Sequence, residues 1–318
     1  MEKFRDEDFT GRVLRFKSAD GDTRFQDVTL EIYKKKCYCN RDFTEVELTD
    51  IITKLRKKEN VHEEQQFYNN EDPLYINENE VLLVKKGKDG YYDLQNKFVQ
   101  KEQPKRYKKT LSKFDELGLA VFQSKRIEKI QEKDTNLTVF TREINKTFKV
   151  HEINTCIRKI HFLSQSYQET SSFVDTCEQF PKDSYGGGKF YRGRGLLQLT
   201  HDYNYEPYFE YWKSVPKTEV GVFVFPPKVE PPKIFTDFEY FVKSISSNLF
   251  LACDSAGWYW KNNNINKYAD LDDIRKVSAK VNNPSASENT TGVINGLAER
   301  TVIYNLLKPI FEYEKFHK

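Results

Sequence analysis

Five glycines fall within ten residues, at Gly186, Gly187, Gly188, Gly193 and Gly195, inside the run GGGKFYRGRGLLQLTHDYNY. Glycine costs a regular element about 1 kcal/mol relative to alanine and adopts positive φ freely, so neither helix nor strand runs through this stretch. Around it, apolar residues recur at helical spacing. Phe140, Ile144 and Phe148 mark one helix. Ile157, Ile160 and Leu163 mark a second, capped by Asn154 or Thr155 and ending near Glu169. Phe238, Phe241, Val242 and Ile245 mark a third, after a loop containing Pro226, Pro227, Pro231 and Pro232. A short apolar segment with Trp258 and Trp260 reads as core. Asp270 is expected to cap a helix bearing Leu271, Ile274, Val277 and Val281, and a last helix is expected from about Ile294 to Leu307, stopping before Pro309. The second half is thus helix-rich, with one irregular lobe.

The first half differs. Val28, Leu30 and Ile32 alternate with Thr29 and Glu31, the period of a half-buried strand. Thr44 and Glu47 have capping-box spacing ahead of the stripe Leu48, Ile51, Ile52 and Leu55. EVLLVKKGKDGYYDL reads as a hairpin turning at Gly87 to Gly90, and the basic run Lys101 to Lys113 as a solvated linker.

Composition excludes several functions. A formal charge of +3 over 318 residues is too balanced for an ordinary nucleic-acid binder. No run approaches the ~18 apolar residues of a membrane span. MEKFRDEDFTGR lacks the apolar stretch of a secretory signal, so synthesis in the cytoplasm is expected. The five cysteines are scattered and odd in number, which argues against a disulfide framework. Cys37 and Cys39 are too close for an easy bridge, and no second pair stands at zinc-ligand spacing, so no metal site is read here.

Glu169 and Glu178 are the carboxylates of interest. In one unbroken helix, nine residues apart, they would stand on opposite faces, ~13.5 Å apart along the axis. ETSSFVDTCE, rich in indifferent or poor helix formers, is suited to leaving the helix between them, so that both acids face one groove.

HFLSQSYQETSSF, GGGKFYRGRGLLQLTHDYNY, SAGWYW, KVNNP and VINGLAERTVIYNLL, in that order, resemble the family-19 glycoside hydrolases, and most closely their bacterial and phage lysozyme-like (endolysin) branch. The resemblance covers roughly Leu137 to Phe311. It implies a mainly α, lysozyme-like helical domain at 137–318 with a small glycine-rich irregular or β lobe. The helix at 42–56 goes with that domain, 1–41 is a β-rich N-terminal segment, and 57–136 is an insertion or accessory subdomain.

By the same resemblance Glu169 is the general acid and Glu178 the general base that activates water, with Thr200 helping to hold it. Gln198, Tyr203, Asn204 and Asn282 contact substrate, and Arg194 and Arg300 tune or support the acids. Asp175, Asp183 and Glu206 stand as alternatives to Glu178. His201 reads as a rim residue, and Cys177 lacks an obvious base. Gln168 replaces the family's usual His before the first glutamate, and GGG replaces Gly-Asp-Gly.

The implied activity is inverting hydrolysis of β-1,4 linkages in peptidoglycan, which requires two carboxyls ~6.5–9.5 Å apart and no cofactor. Chitinase, or an inactive wall-binding protein on the same scaffold, is the alternative. Implied partners are glycan strands, with an immunity protein or secretion-machine component if the chain is a delivered antibacterial effector. Release through a holin is the route for a phage lysin. No nucleic acid and no membrane span are expected.

Overall fold

The structure, a computed structural model, describes residues 13–17, 25–29, 37–65, 71–77, 80–87, 90–92, 98–99, 107–126, 128–215, 237–283 and 294–317. The chain divides into two units, Met1–Cys37 and Tyr38–Lys318. In the smaller, β1 (Val13–Lys17) pairs antiparallel with β2 (Phe25–Thr29). Val28 lies in β2, whereas Leu30 and Ile32 lie outside the described residues, as does the proline loop 226–232.

The larger unit opens with α1 (Glu45–Lys58). Thr44 and Glu47 form the capping box that their spacing predicts, and Leu48, Ile51, Ile52 and Leu55 are buried. β3 (Asn60–Gln65) follows, then a four-stranded antiparallel sheet of β4 (Glu71–Asn77), β5 (Glu80–Gly87), β6 (Gly90–Tyr92) and β7 (Phe98–Val99). Gly87 pairs with Gly90 across the β5–β6 turn, as the hairpin reading requires. β8 (Tyr107–Ser112) returns to pair with β3, and α2 (Lys113–Leu117) leads back to the helical body.

That body contains α3 (Leu137–Val150), α4 (Cys156–Glu169), α5 (Asp202–Ser214), α6 (Asp237–Ser247), α7 (Leu249–Asn262), α8 (Asn266–Asp270), α9 (Ile274–Asn282), α10 (Leu297–Ile310) and α11 (Tyr313–Phe316). The chain is therefore mainly α. Helix α4 is central, in contact with α8, α9 and α10, while α7 packs on α3 and α6 and α1 packs on α3 and α10. Helix α4 is buried nearly all round: Ile160, Phe162 and Leu163 are core, and so are His161, Ser164, Gln165 and Ser166. Its hydroxyls are satisfied locally, Ser164 Oγ donating to His161 O and Ser166 Oγ to Phe162 O. Helix α7 hides a second polar group, where Asp254 accepts from His151 Nε2 (2.8 Å) and from the Tyr208 hydroxyl (2.9 Å).

Thr155 caps α4, its hydroxyl accepting from Arg158 N–H, and the helix ends at Glu169 as the sequence indicates. Two other boundaries differ from expectation. Asp273, not Asp270, caps α9, because the Asp270 carboxylate is held by Arg158 of α4 (Nη2–Oδ2 2.6 Å, Nε–Oδ1 2.7 Å). Leu271 is exposed and belongs to no helix. Helix α10 begins only after Gly296, which takes the left-handed conformation at its N-cap, and runs through Pro309 in its last turn. A proline there deletes one hydrogen bond near an end that frays anyway. Among the described residues no helix is long and apolar enough to cross a membrane.

After Glu169 the backbone of Ser171, Ser172 and Phe173 turns left-handed, with φ of 51°, 68° and 60°. Such residues cost roughly 1–2 kcal/mol each. Two features offset this. Phe173 is buried against Phe122, Phe140 and Tyr167, worth ~1.5–3 kcal/mol. Arg56, at the end of α1 and fully buried, donates from Nη2 to Ser172 O (2.7 Å) and from Nη1 to Gly118 O (2.8 Å) and Ala120 O (2.9 Å). Charge-assisted bonds of this kind contribute about 1.5–3 kcal/mol apiece.

Replacing Arg56 by Ala leaves three inward-facing carbonyls without their donor and is expected to lower unfolding free energy in urea by about 3 kcal/mol or more. Arg56→Lys is expected to restore only part, because one ammonium cannot reproduce a planar fork. A loss below about 1 kcal/mol for Arg56→Ala would show that the turn holds itself.

Candidate active site

The left-handed turn brings Glu178 back toward Glu169. Both carboxylates line one cleft of about 610 Å³, together with Arg126, Asp175, Tyr185, Gln198, Thr200 and Asn282. The helix break proposed between the two acids is what the chain adopts.

Glu169 sits at the last position of α4, its side chain 21% exposed, and its Oε1 accepts a short hydrogen bond from Arg300 Nη2. Arg300 is buried in α10 and is itself fixed. Its Nη1 donates to Gln165 Oε1 (2.6 Å), one helical turn before Glu169, and its Nε to Asn295 O (3.3 Å). One guanidinium thus ties the acid, the helix beneath it and the start of α10. Gln168 and Arg300 both lie beneath Gly296, whose Cβ, if present, would stand 3.6 Å from each.

Glu178 is held differently. Its Oε1 accepts from the Tyr185 hydroxyl (2.8 Å) and its Oε2 from Gly193 N–H (3.1 Å), while its own N–H donates to Gly193 O (2.8 Å). Gly193 is needed here, because a Cβ would lie 2.7 Å from Gln198 Oε1 and 3.4 Å from Glu178 Cβ. Gly195 is needed for a second reason: at φ +77° its added Cβ would stand 2.5 Å from Ser255 Oγ and 3.0 Å from Ala252 O, both in α7. The lobe is stitched by bridges rather than by strands, Arg194 pairing with Cys177 and with Leu199.

Of the substrate-contact residues, Gln198 and Asn282 line the cleft and Tyr203 and Asn204 do not. Tyr203 is exposed and stacks on His201 at 4.8 Å and 12°. Asn204 donates to Thr200 O (2.8 Å), so it braces the segment that carries the cleft threonine. Asn282 donates to Ser278 O (3.0 Å) and Asn295 O (3.4 Å), linking the end of α9 to the approach to α10.

Arg194 bonds to neither Glu169 nor Glu178. Its Nε and Nη2 grip Glu128 (2.7 and 3.1 Å), and its Nη1 donates to Phe190 O (2.8 Å). Ser246 Oγ also donates to Glu128 (2.8 Å). Burial alone would raise the Glu128 carboxyl, but Arg194 outweighs it and holds the group at about 2. Arg194 is therefore the buried pin of the glycine lobe. Burial, and then the Glu128 charge, push the Cys177 thiol up to about 12, which leaves no thiolate for a nucleophile.

Among the alternative bases, Asp175 lines the cleft but is engaged by Ser124 Oγ (2.6 Å) and Arg126 Nη2 (2.8 Å). Asp183 is highly exposed, paired with Lys189, and like Glu206 lies outside the cleft lining. Sequence reasoning missed Arg126, Glu128, Gln165 and Tyr185. Only Tyr185, seven residues after Glu178 in a short loop, carried a local signal.

No protein-family model matches the chain. Over 122 residues it is 30% identical to a glycosyl hydrolase family 19 domain-containing protein of Haemophilus influenzae; the match covers 38% of this chain and 43% of that protein. The chain thus spans less than half the length of that relative. A solved structure, a family GH19 class IV chitinase from Zea mays, overlaps 54% of this chain and 79% of its own at 16% identity, with a TM-score of 0.38. At that score the overlap is a distant likeness. The sequence match supports the family-19 resemblance carried by the motifs.

His201 Nδ1 accepts from Gly186 N–H (2.8 Å), which requires an unprotonated nitrogen, and burial lowers its pKa below the ordinary 6.5. With the folded value lowered, the unfolded chain binds the proton first. Stability from this contact is complete above ~7 and declines as pH falls below 6.5 toward the folded value. An NMR titration is expected to show His201 with a midpoint below 6.5, with the Gly186 amide shifting in step. A midpoint above 6.5 would contradict the bond.

Proposed function

We propose that this relative of the family-19 glycoside hydrolases cleaves β-1,4-linked aminosugar polymers by inversion, with Glu169 as general acid and Glu178 as general base. The observation that carries this reading is that both carboxylates open on one cleft, each with the remainder of its side chain anchored. Glu169 is tied through a single oxygen, Oε1, so its second oxygen is available to a leaving-group oxygen. Glu178 is oriented through Tyr185 and Gly193, and each of its oxygens keeps a second lone pair for a water. Thr200 lines the same cleft and supports the role of water holder. Gln198 and Asn282 supply amide groups of the kind that acetamido sugars bond.

Peptidoglycan is the substrate we assign, with chitin oligomers as the competing arm of the test. The lysozyme-like motifs support the first; the chitinase name of the distant structural neighbour belongs to the second. Action at the cell wall, after delivery as an antibacterial effector or after lysis, is part of the same proposal. An immunity protein for such an effector would have to fill this cleft.

Glu169→Gln keeps an oxygen for Arg300 but cannot donate as an acid, so it is expected to fold normally and to lose at least about 100-fold in hydrolysis, the usual worth of general acid catalysis. Glu178→Gln is expected to do the same. Digestion of purified peptidoglycan beside a chitin oligomer, followed by mass spectrometry and early-time NMR of the anomeric proton, reads both bond and stereochemistry. Reducing-end muramic acid formed as the α-anomer is the expected product. Full activity in either Gln variant, or an initial β-anomer, would defeat the assignment. Loss of activity in Asp175→Asn together with a fully active Glu178→Gln would move the base to Asp175.

A further inference from the structure

At the other end of α4 from Glu169, about 20 Å away at 1.5 Å per residue, two cysteines and a histidine converge. Cys39, Cys156 and His317 each offer one ligand atom, and those atoms all lie within 4.8 Å of one another. Cys39 Sγ and His317 Nε2 are 3.8 Å apart. Around a tetrahedral zinc, with bonds near 2.3 Å to sulfur and 2.0–2.1 Å to nitrogen, ligand atoms stand about 3.5–3.8 Å from each other. The group needs to contract by only about 1 Å at its widest.

We propose that Cys39, Cys156 and His317 form a structural site for a zinc-type cation. None of these residues lines the cleft, so the site is separate from the proposed hydrolysis. The donor set is soft, two thiols and an imidazole, which suits zinc and disfavours calcium or magnesium. No disulfide joins the cysteines.

Backbone donors orient the sulfurs. Cys156 N–H donates to Cys39 Sγ (3.0 Å), and Tyr38 N–H to Cys156 Sγ (3.2 Å). Amide donors aimed at sulfur stabilise its charged form and fix its orientation. Cys156 is also the first residue of a 14-residue helix, where the macrodipole favours negative charge. Lys159, buried one turn into α4, stands in electrostatic contact with Cys156 and Cys39. Its ammonium also donates to Tyr38 O (2.8 Å) and Arg41 O (2.6 Å), which fixes the loop carrying Cys39. His317 stacks on Tyr313 at 4.7 Å, presenting the ring edge from the segment after α11. Binding would release the thiol protons and staple residue 317 to the start of α4.

The sequence concealed this arrangement because its donors stand far apart along the chain. Cys156 and His317 lie far from the Cys37/Cys39 pair and from each other along the chain.

The test uses the full chain, purified untagged and without chelator. Elemental analysis is expected to find one zinc per chain, and cobalt added after its removal is expected to give the visible spectrum of a tetrahedral thiolate site. Cys39→Ser is expected to lose the metal. His317→Ala, at an exposed position just after α11, is expected to yield zinc to a chelator that leaves wild type loaded. A wild-type chain that takes up neither zinc nor cobalt overturns the assignment. So does a Cys39–Cys156 bridge found in unreduced protein, or zinc fully retained by both variants. Hydrolysis assays are unaffected as a readout of Glu169 and Glu178, so failure here leaves that reading standing.

Discussion

The buried guanidinium of Arg56 holds three backbone carbonyls that would otherwise face a low-dielectric interior, and one of them belongs to Ser172. Without that donor, three consecutive left-handed residues would have little reason to persist after Glu169. With it, the chain reverses within a few residues of the helix end and delivers Glu178 to the cleft that Glu169 lines. The placing of both carboxylates on one cleft thus depends on a residue that touches neither of them.

Two arginines divide the electrostatic work. Arg300 faces the cleft side and fixes Glu169 through one oxygen. Arg194 is wholly internal and pins the glycine lobe to Glu128 and the end of α6. Truncating Glu128 would strand the buried Arg194 cation, and breaking a buried pair in this way typically costs about 3–5 kcal/mol. The glycines then act locally. Gly193 leaves room for the Gln198 side chain, and Gly195 lets the lobe seat against α7 without a Cβ.

Local signals were legible and long-range ones were not. The capping box at Thr44, the cap at Thr155 and the end of α4 at Glu169 all follow from residues within four positions of one another. The start of α9 was misplaced because DLDD offers several acidic caps, and the choice between them is made by Arg158, more than a hundred residues earlier. The same reason hides Glu128 as the partner of Arg194, and Arg56 as the clamp of the turn. Helical period located the body of the fold, and the motif resemblance located the acids; neither shows which side chain answers a buried charge. Tyr203 and Asn204 show the converse, since both sit in the recognised stretch yet are not among the residues that line the cleft.

Glu169 depends on chain segments made at very different times. Its helix is completed by residue 169 and its turn is clamped from residue 56, but its arginine arrives only with residue 300. A growing chain that has emerged only as far as α9 therefore carries an acid without its guanidinium and a cleft without Asn295 on its wall. During synthesis the cleft is therefore completed only once the start of α10 has emerged.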